Sequence, residues 1–130
     1  MHSFTSVYLI TDNPLKLNVT LNGELKITLP SVAGIYIRQS NGEHDFLHWL
    51  QDPGTNAIWY YKKFGYWLIG LQDYIGSTNS LLYTSENVTG PQIATIWKYD
   101  NATKVESDDI LVDAIVEPGT FCSDAYIIEL

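Results

Sequence analysis

A chain of 130 residues with a formal net charge of −8 has the length of one ordinary domain, enough to bury a core without disulfides or metal. The acidic balance excludes nucleic acid as a primary partner, since phosphate binding draws on clustered Lys and Arg, and the single cysteine, Cys122, excludes a disulfide framework and thiolate zinc sites of the usual spacing. No apolar run approaches the roughly 18 residues of a membrane helix, and Val7 to Ile10 is too short for a signal-peptide core, so membrane insertion is not expected.

Tyr, Val, Ile, Thr and Trp fall in short runs between turn residues, a composition that favours strands. Thr5 to Ile10 reads as a first strand ending at Asp12-Asn13-Pro14. Leu17, Val19, Leu21, Leu25, Ile27 and Leu29 then alternate with polar residues around Asn22-Gly23. A three-residue loop from Asn22 to Glu24 pairs Leu21 with Leu25 and Val19 with Ile27, and so predicts a hairpin with all its apolar residues on one face. Asn-Gly-Glu returns at Asn41 to Glu43, where the same loop pairs Ser40 with His44, Arg38 with Phe46 and Tyr36 with His48. Ile35, Ile37, Leu47 and Trp49 then face the core, opposite a mixed surface of Tyr36, Arg38, His44, Phe46 and His48.

Asp52-Pro53-Gly54-Thr55 has the chemistry of a type II turn and delivers the chain into Ala57 to Gly70, AIWYYKKFGYWLIG, the most informative segment. With Lys62-Lys63-Phe64-Gly65 as the loop, Tyr61 pairs with Tyr66, Tyr60 with Trp67, Trp59 with Leu68 and Ile58 with Ile69. Side chains alternate along a strand, so Ile58, Tyr60, Trp67 and Ile69 share one face. Trp59, Tyr61, Tyr66 and Leu68 share the other, where a half-exposed hairpin would carry polar residues. Either the fold is two-layered here or something binds.

Gly76 to Ser80 reads as a flexible loop. Strands are predicted at Leu81 to Thr84 and Ile93 to Tyr99, separated by the Thr89-Gly90-Pro91 turn, then a polar loop from Asp100 to Ser107 and a strand from Ile110 to Val116. The turn Glu117-Pro118-Gly119-Thr120 leads to a last strand, Ala125 to Leu130. About ten short strands with no convincing helical period predict an all-β, single-domain antiparallel β-sandwich or barrel-like fold.

Chemistry-bearing patterns are weak. His44 and His48 stand four apart, but Asp45 follows where the zinc-protease motif needs Glu, and no third ligand is assignable; exposed polar positions on a β face are the stronger reading. A tight Pro118-Gly119 loop would set Asp113 opposite Asp124 and suggest calcium, yet a Pro-Gly type II turn suits tight hairpins poorly and no EF-hand pattern is present. The acidic segment from Asp100 onward reads as a solvated surface. No phosphate cradle, nucleophile elbow or His-Glu-x-x-His occurs, so neither an enzyme nor a cofactor is expected. A hydrolase using His44 or His48 with an acid would need a cleft where they converge. Sequons at Asn18, Asn87 and Asn101 fit a secreted ectodomain, with an intracellular or virion-associated origin left equally open.

The surplus is aromatic. It predicts a non-catalytic interaction or assembly module whose β face, Trp59, Tyr61, Tyr66 and Leu68 joined by Tyr36, Arg38, His44 and His48, binds a protein partner or another subunit as a homo-oligomer. The alternative is a carbohydrate-binding module with Trp59, Tyr61 and Tyr66 as its stacking platform.

Overall fold

The aromatic segment folds with the register its pattern dictates. In the computed structural model, which describes residues 14–39, 47–99, 105–107 and 109–116, strand Asn56–Tyr61 pairs antiparallel with Tyr66–Leu71, matching Tyr61 to Tyr66, Tyr60 to Trp67, Trp59 to Leu68 and Ile58 to Ile69. These are β4 and β5. Before them come β1 (Lys16–Leu21), β2 (Gly34–Gln39) and β3 (His48–Gln51); after them β6 (Leu82–Thr84), β7 (Trp97–Tyr99), β8 (Val105–Ser107) and β9 (Ile110–Ile115). All lie in one antiparallel sheet of order β8-β7-β6-β5-β4-β3-β2-β1-β9. Eight strands make its body and the three-residue β8 ends one edge, so the described residues hold fewer strands than the ten or so expected. The fold is all-β and barrel-like, a single curled half-barrel rather than two stacked sheets. Curling brings the edge strand β9 against the 3-10 turn Pro91–Ile93 between β6 and β7.

Strand alternation sorts the core onto the concave side. Leu17, Val19 and Leu21 of β1 meet Tyr36, Trp49, Ile58, Trp67, Ile69, Leu82, Trp97, Ile110 and Val112 in one buried cluster. Burial of about 25 cal/mol per Å² of apolar surface makes this cluster the main source of stability. Two of its polar tips are paired, the Tyr36 hydroxyl donating to the Val32 carbonyl at 2.7 Å and Trp49 Nε1 to the Pro14 carbonyl at 2.9 Å, while the buried Trp97 Nε1 has no partner among the described residues. Burial pushes the Tyr36 phenol well above its usual range, against a smaller lowering by a hydrogen bond with Asn56.

Two expected pairings are corrected. Residues 25–29 do not return beside β1; Gly23–Thr28 is a short helix, α1. The reason is topological, because β1 is already flanked by β2 and β9 and offers no free edge. Asp109 reinforces the alternative: its backbone carbonyl accepts from the Asn22 amide at 2.7 Å, and its carboxylate accepts from the Glu24 amide at 3.3 Å. Leu25 plugs the core and Leu29 packs half-buried against it, while Ile27 is 78% exposed, so the apparent alternation breaks at its middle member.

The β2–β3 register also differs. Tyr36 lies opposite Gln51 and Arg38 opposite Trp49, three residues from the pairing with His48 predicted for Tyr36. An odd shift turns β2 over. Trp49 stays on the core side as expected, but Tyr36, expected on the outer surface, is buried beside it, and Ile35 and Ile37 take the outer side. The connecting residues 40–46 lie outside the described residues, and with them His44, Phe46 and the Asn41 to Glu43 turn. So do the strand at Thr5 to Ile10, the sequon at Asn101, the turn at Glu117 to Thr120, Cys122, Asp124 and the final strand. Within the expected loop before Ser107, residues 105–107 form β8.

The turn at 52–55 forms, with a cis Asp52–Pro53 peptide in place of the type II geometry. Gln51 anchors it: Nε2 donates to the carbonyls of Ser31 (2.7 Å) and Ala33 (3.0 Å), and Oε1 accepts from the Asn56 amide at 3.0 Å. Gly54, at φ 145°, leaves the room this side chain needs, since a Cβ there would stand 2.6 Å from Gln51 Cγ and closer still to its amide.

Candidate interaction face

The convex side of the sheet is partly closed by the chain itself. Between β5 and β6 the backbone makes a 3-10 turn, Gln72–Tyr74, and returns across the hairpin, where the Ser77 carbonyl accepts from Trp59 Nε1 at 3.1 Å. Gly70 permits this approach: a Cβ there would meet Ser80 Cα at 3.0 Å and Trp59 Cη2 at 3.3 Å. Trp59, Leu68 and Ala57 thereby form a second buried cluster, with Leu50, Tyr61, Tyr66, Ile75 and Tyr83 packed around it. The segment expected to be a flexible loop is the lid of this small core.

The expected site residues separate accordingly. Trp59 is fully enclosed and Leu68 is 3% exposed, which corrects their placement on an open surface. Tyr36 belongs to the main core. His48 lies on the convex side opposite Trp59 and Gln39 and is 3% exposed, so it is not the exposed polar position expected. Arg38, half-buried, is on the concave side of β2, away from the second cluster. Tyr61 and Tyr66 remain half-buried on the convex side.

Around those two rings the structure adds residues not singled out from sequence as a site. Phe64, 55% exposed at the tip, packs its ring 5.0 Å from Tyr61 and 5.5 Å from Tyr66, and Tyr66 stacks on Tyr83 of β6 at 5.6 Å and 18°. Tyr61, Phe64, Tyr66 and Tyr83 thus form one continuous aromatic ladder with one edge on the buried cluster and the other in solvent. An aromatic residue inside a four-residue hairpin loop was the available signal for Phe64. Tyr83 was signalled by its alternation with buried Leu82 and Thr84.

The electrostatics of the tip are distinct. Residues 53–72 contain Lys62 and Lys63 and no acid, in a chain with 15 Asp and Glu against 7 Lys and Arg; both lysines are exposed. Among the described residues no three His, Cys, Asp or Glu converge to hold a metal ion, and no helix is long and apolar enough to cross a membrane. Comparison with protein-family models, with curated proteins and with solved structures finds no match. The ladder is therefore read from its own geometry.

Proposed function

We propose that this chain is a non-catalytic assembly module that packs the ladder of Tyr61, Phe64, Tyr66 and Tyr83 against another polypeptide, in the first instance a second copy of itself. The observation that carries the reading is Phe64: a ring 55% exposed, contiguous with three half-buried ones, leaves apolar surface in water that a partner would remove. Aromatic residues with a polar tip are enriched at such interfaces and provide most of their binding energy. Charge favours the same arrangement, since Lys62 and Lys63 flank the ladder while residues 100–130 carry eight acids and one lysine. A sugar-stacking platform is supported less well, because its only indole, Trp59, is sealed beneath Ser77.

The test is the mass of the protein in solution, measured by light scattering beside a glycan-array screen. A dimer or larger species that Phe64→Ser converts to monomer supports assembly. A monomer that binds sugars, or one that binds nothing, refutes it.

A further inference from the structure

At the same hairpin tip lies a cleft of about 840 Å³, its apolar wall formed by Leu47, Tyr60, Trp67 and Val88 of the concave side, with Tyr61 and Gly76 at its edge and Lys62 and Lys63 beside it. We propose that this cleft binds a small amphipathic organic anion, an apolar chain or ring system ending in a carboxylate. The volume falls within the roughly 300–1,000 Å³ of small-ligand sites. Its wall presents mainly carbon: the indole N–H of Trp67 is already donated to the Val88 carbonyl at 3.0 Å, and Tyr60 packs on Trp67 with centroids 5.0 Å apart. An apolar body is favoured there by desolvation.

The head group follows from charge. Among the described residues no acid lines the cleft, and its two lysines are the only Lys or Arg in the sequence between Arg38 and Lys98. In a chain of net charge −8 a polyanion is repelled by the rest of the surface, whereas a single carboxylate on an apolar body gains the lysines with little of that cost. A cationic ligand meets the wrong sign, and a neutral one gains nothing from Lys62 and Lys63. The cleft shares Tyr61, Lys62 and Lys63 with the assembly proposed above, but Tyr60 and Trp67 face the side of the sheet opposite Tyr66 and Tyr83, and Phe64 does not line it, so a change at Phe64 separates the two proposals.

Decanoate and decanol, each titrated as a competitor of bound 8-anilinonaphthalene-1-sulfonate, test this. Decanoate should displace the dye. Replacing both Lys62→Gln and Lys63→Gln should weaken decanoate about five- to tenfold, at the strength expected of exposed ion pairs, and leave decanol unchanged. Asn87→Trp, an exposed substitution at the rim, should abolish displacement by both, while Phe64→Ser should affect neither. No displacement by decanoate, equal affinity in the lysine variant, or full binding in Asn87→Trp overturns the proposal. Loss of binding in Phe64→Ser overturns it too, by placing the ligand on the outer ladder.

Discussion

Replacing Trp59 by Ala tests the division of the hairpin into a sealed and an open aromatic set. The indole is fully enclosed, bounded by Gly70, the Ser80 backbone and the Ser77 carbonyl. Removing a large buried ring costs about 3–5 kcal/mol through lost transfer energy and the cavity left behind. The hydrogen bond to Ser77 adds at most about 1 kcal/mol, because that residue is half-buried and water can reach its carbonyl. A loss of about 4 kcal/mol is a large share of the ~5–15 kcal/mol typical of a domain. With a urea slope of about 1.5 kcal/mol/M it moves the midpoint by roughly 2–3 M. Urea denaturation followed by circular dichroism measures it, with Trp59→Phe, expected at about 1–2 kcal/mol, as the milder variant if Ala does not fold. Phe64→Ala, at an exposed tip, should cost less than about 1 kcal/mol. Loss below about 1 kcal/mol at Trp59, or equal losses at the two positions, would show that Trp59 is not enclosed.

Three further outcomes follow from named contacts. Gly54→Ala should destabilise by about 2–3 kcal/mol, since it combines a strained positive φ with displacement of the Gln51 amide from Ser31, Ala33 and Asn56; thermal melting beside Gln51→Ala should show the two losses overlapping rather than adding. Gly70→Val should lift the 77–81 backbone off Trp59, red-shifting the tryptophan emission and raising amide hydrogen exchange at Leu81, whose N–H donates to the Ile69 carbonyl at 2.8 Å. Glu86 accepts from the amides of Thr95 (2.6 Å) and Ile96 (2.9 Å) and from the Thr95 hydroxyl (2.9 Å); these bonds, led by Ile96, outweigh partial burial and hold its carboxyl below the usual range. A carboxyl lowered by folding stabilises fully above its unfolded value of about 4.3 and less as pH falls through the folded one. Glu86→Gln should therefore remove part of the stability loss below about pH 4, measured by urea midpoints across pH, and an unchanged pH profile would contradict the assignment.

Local pattern was enough for the β4–β5 hairpin because both of its strands carry continuous large side chains and only one loop length aligns them. It failed at β1, where alternation from Leu17 to Leu29 looked like a hairpin; the competing demand came from β9, some ninety residues away, which takes the edge that Leu25 to Leu29 would have needed. It fails again at β2, because the turn motif at Asn41 to Glu43 implies a register that the burial of Tyr36 opposes. The two-faced aromatic pattern of the hairpin is legible in the sequence, and the structure buries rings on both of its faces, Trp67 in the main core and Trp59 in the second cluster. Which rings the chain covers itself depends on the path of residues 72–81 and on the missing Cβ of Gly70, a packing relation with no periodic signature.

Sedimentation equilibrium of the wild-type chain and of the Tyr61→Ser/Phe64→Ser double variant bears on the ladder's role most directly. A wild-type species of at least twice the monomer mass, with the variant still cooperatively folded but associating at least tenfold more weakly, is the expected result. A wild-type monomer at high concentration, or an oligomer indifferent to both substitutions, would contradict it.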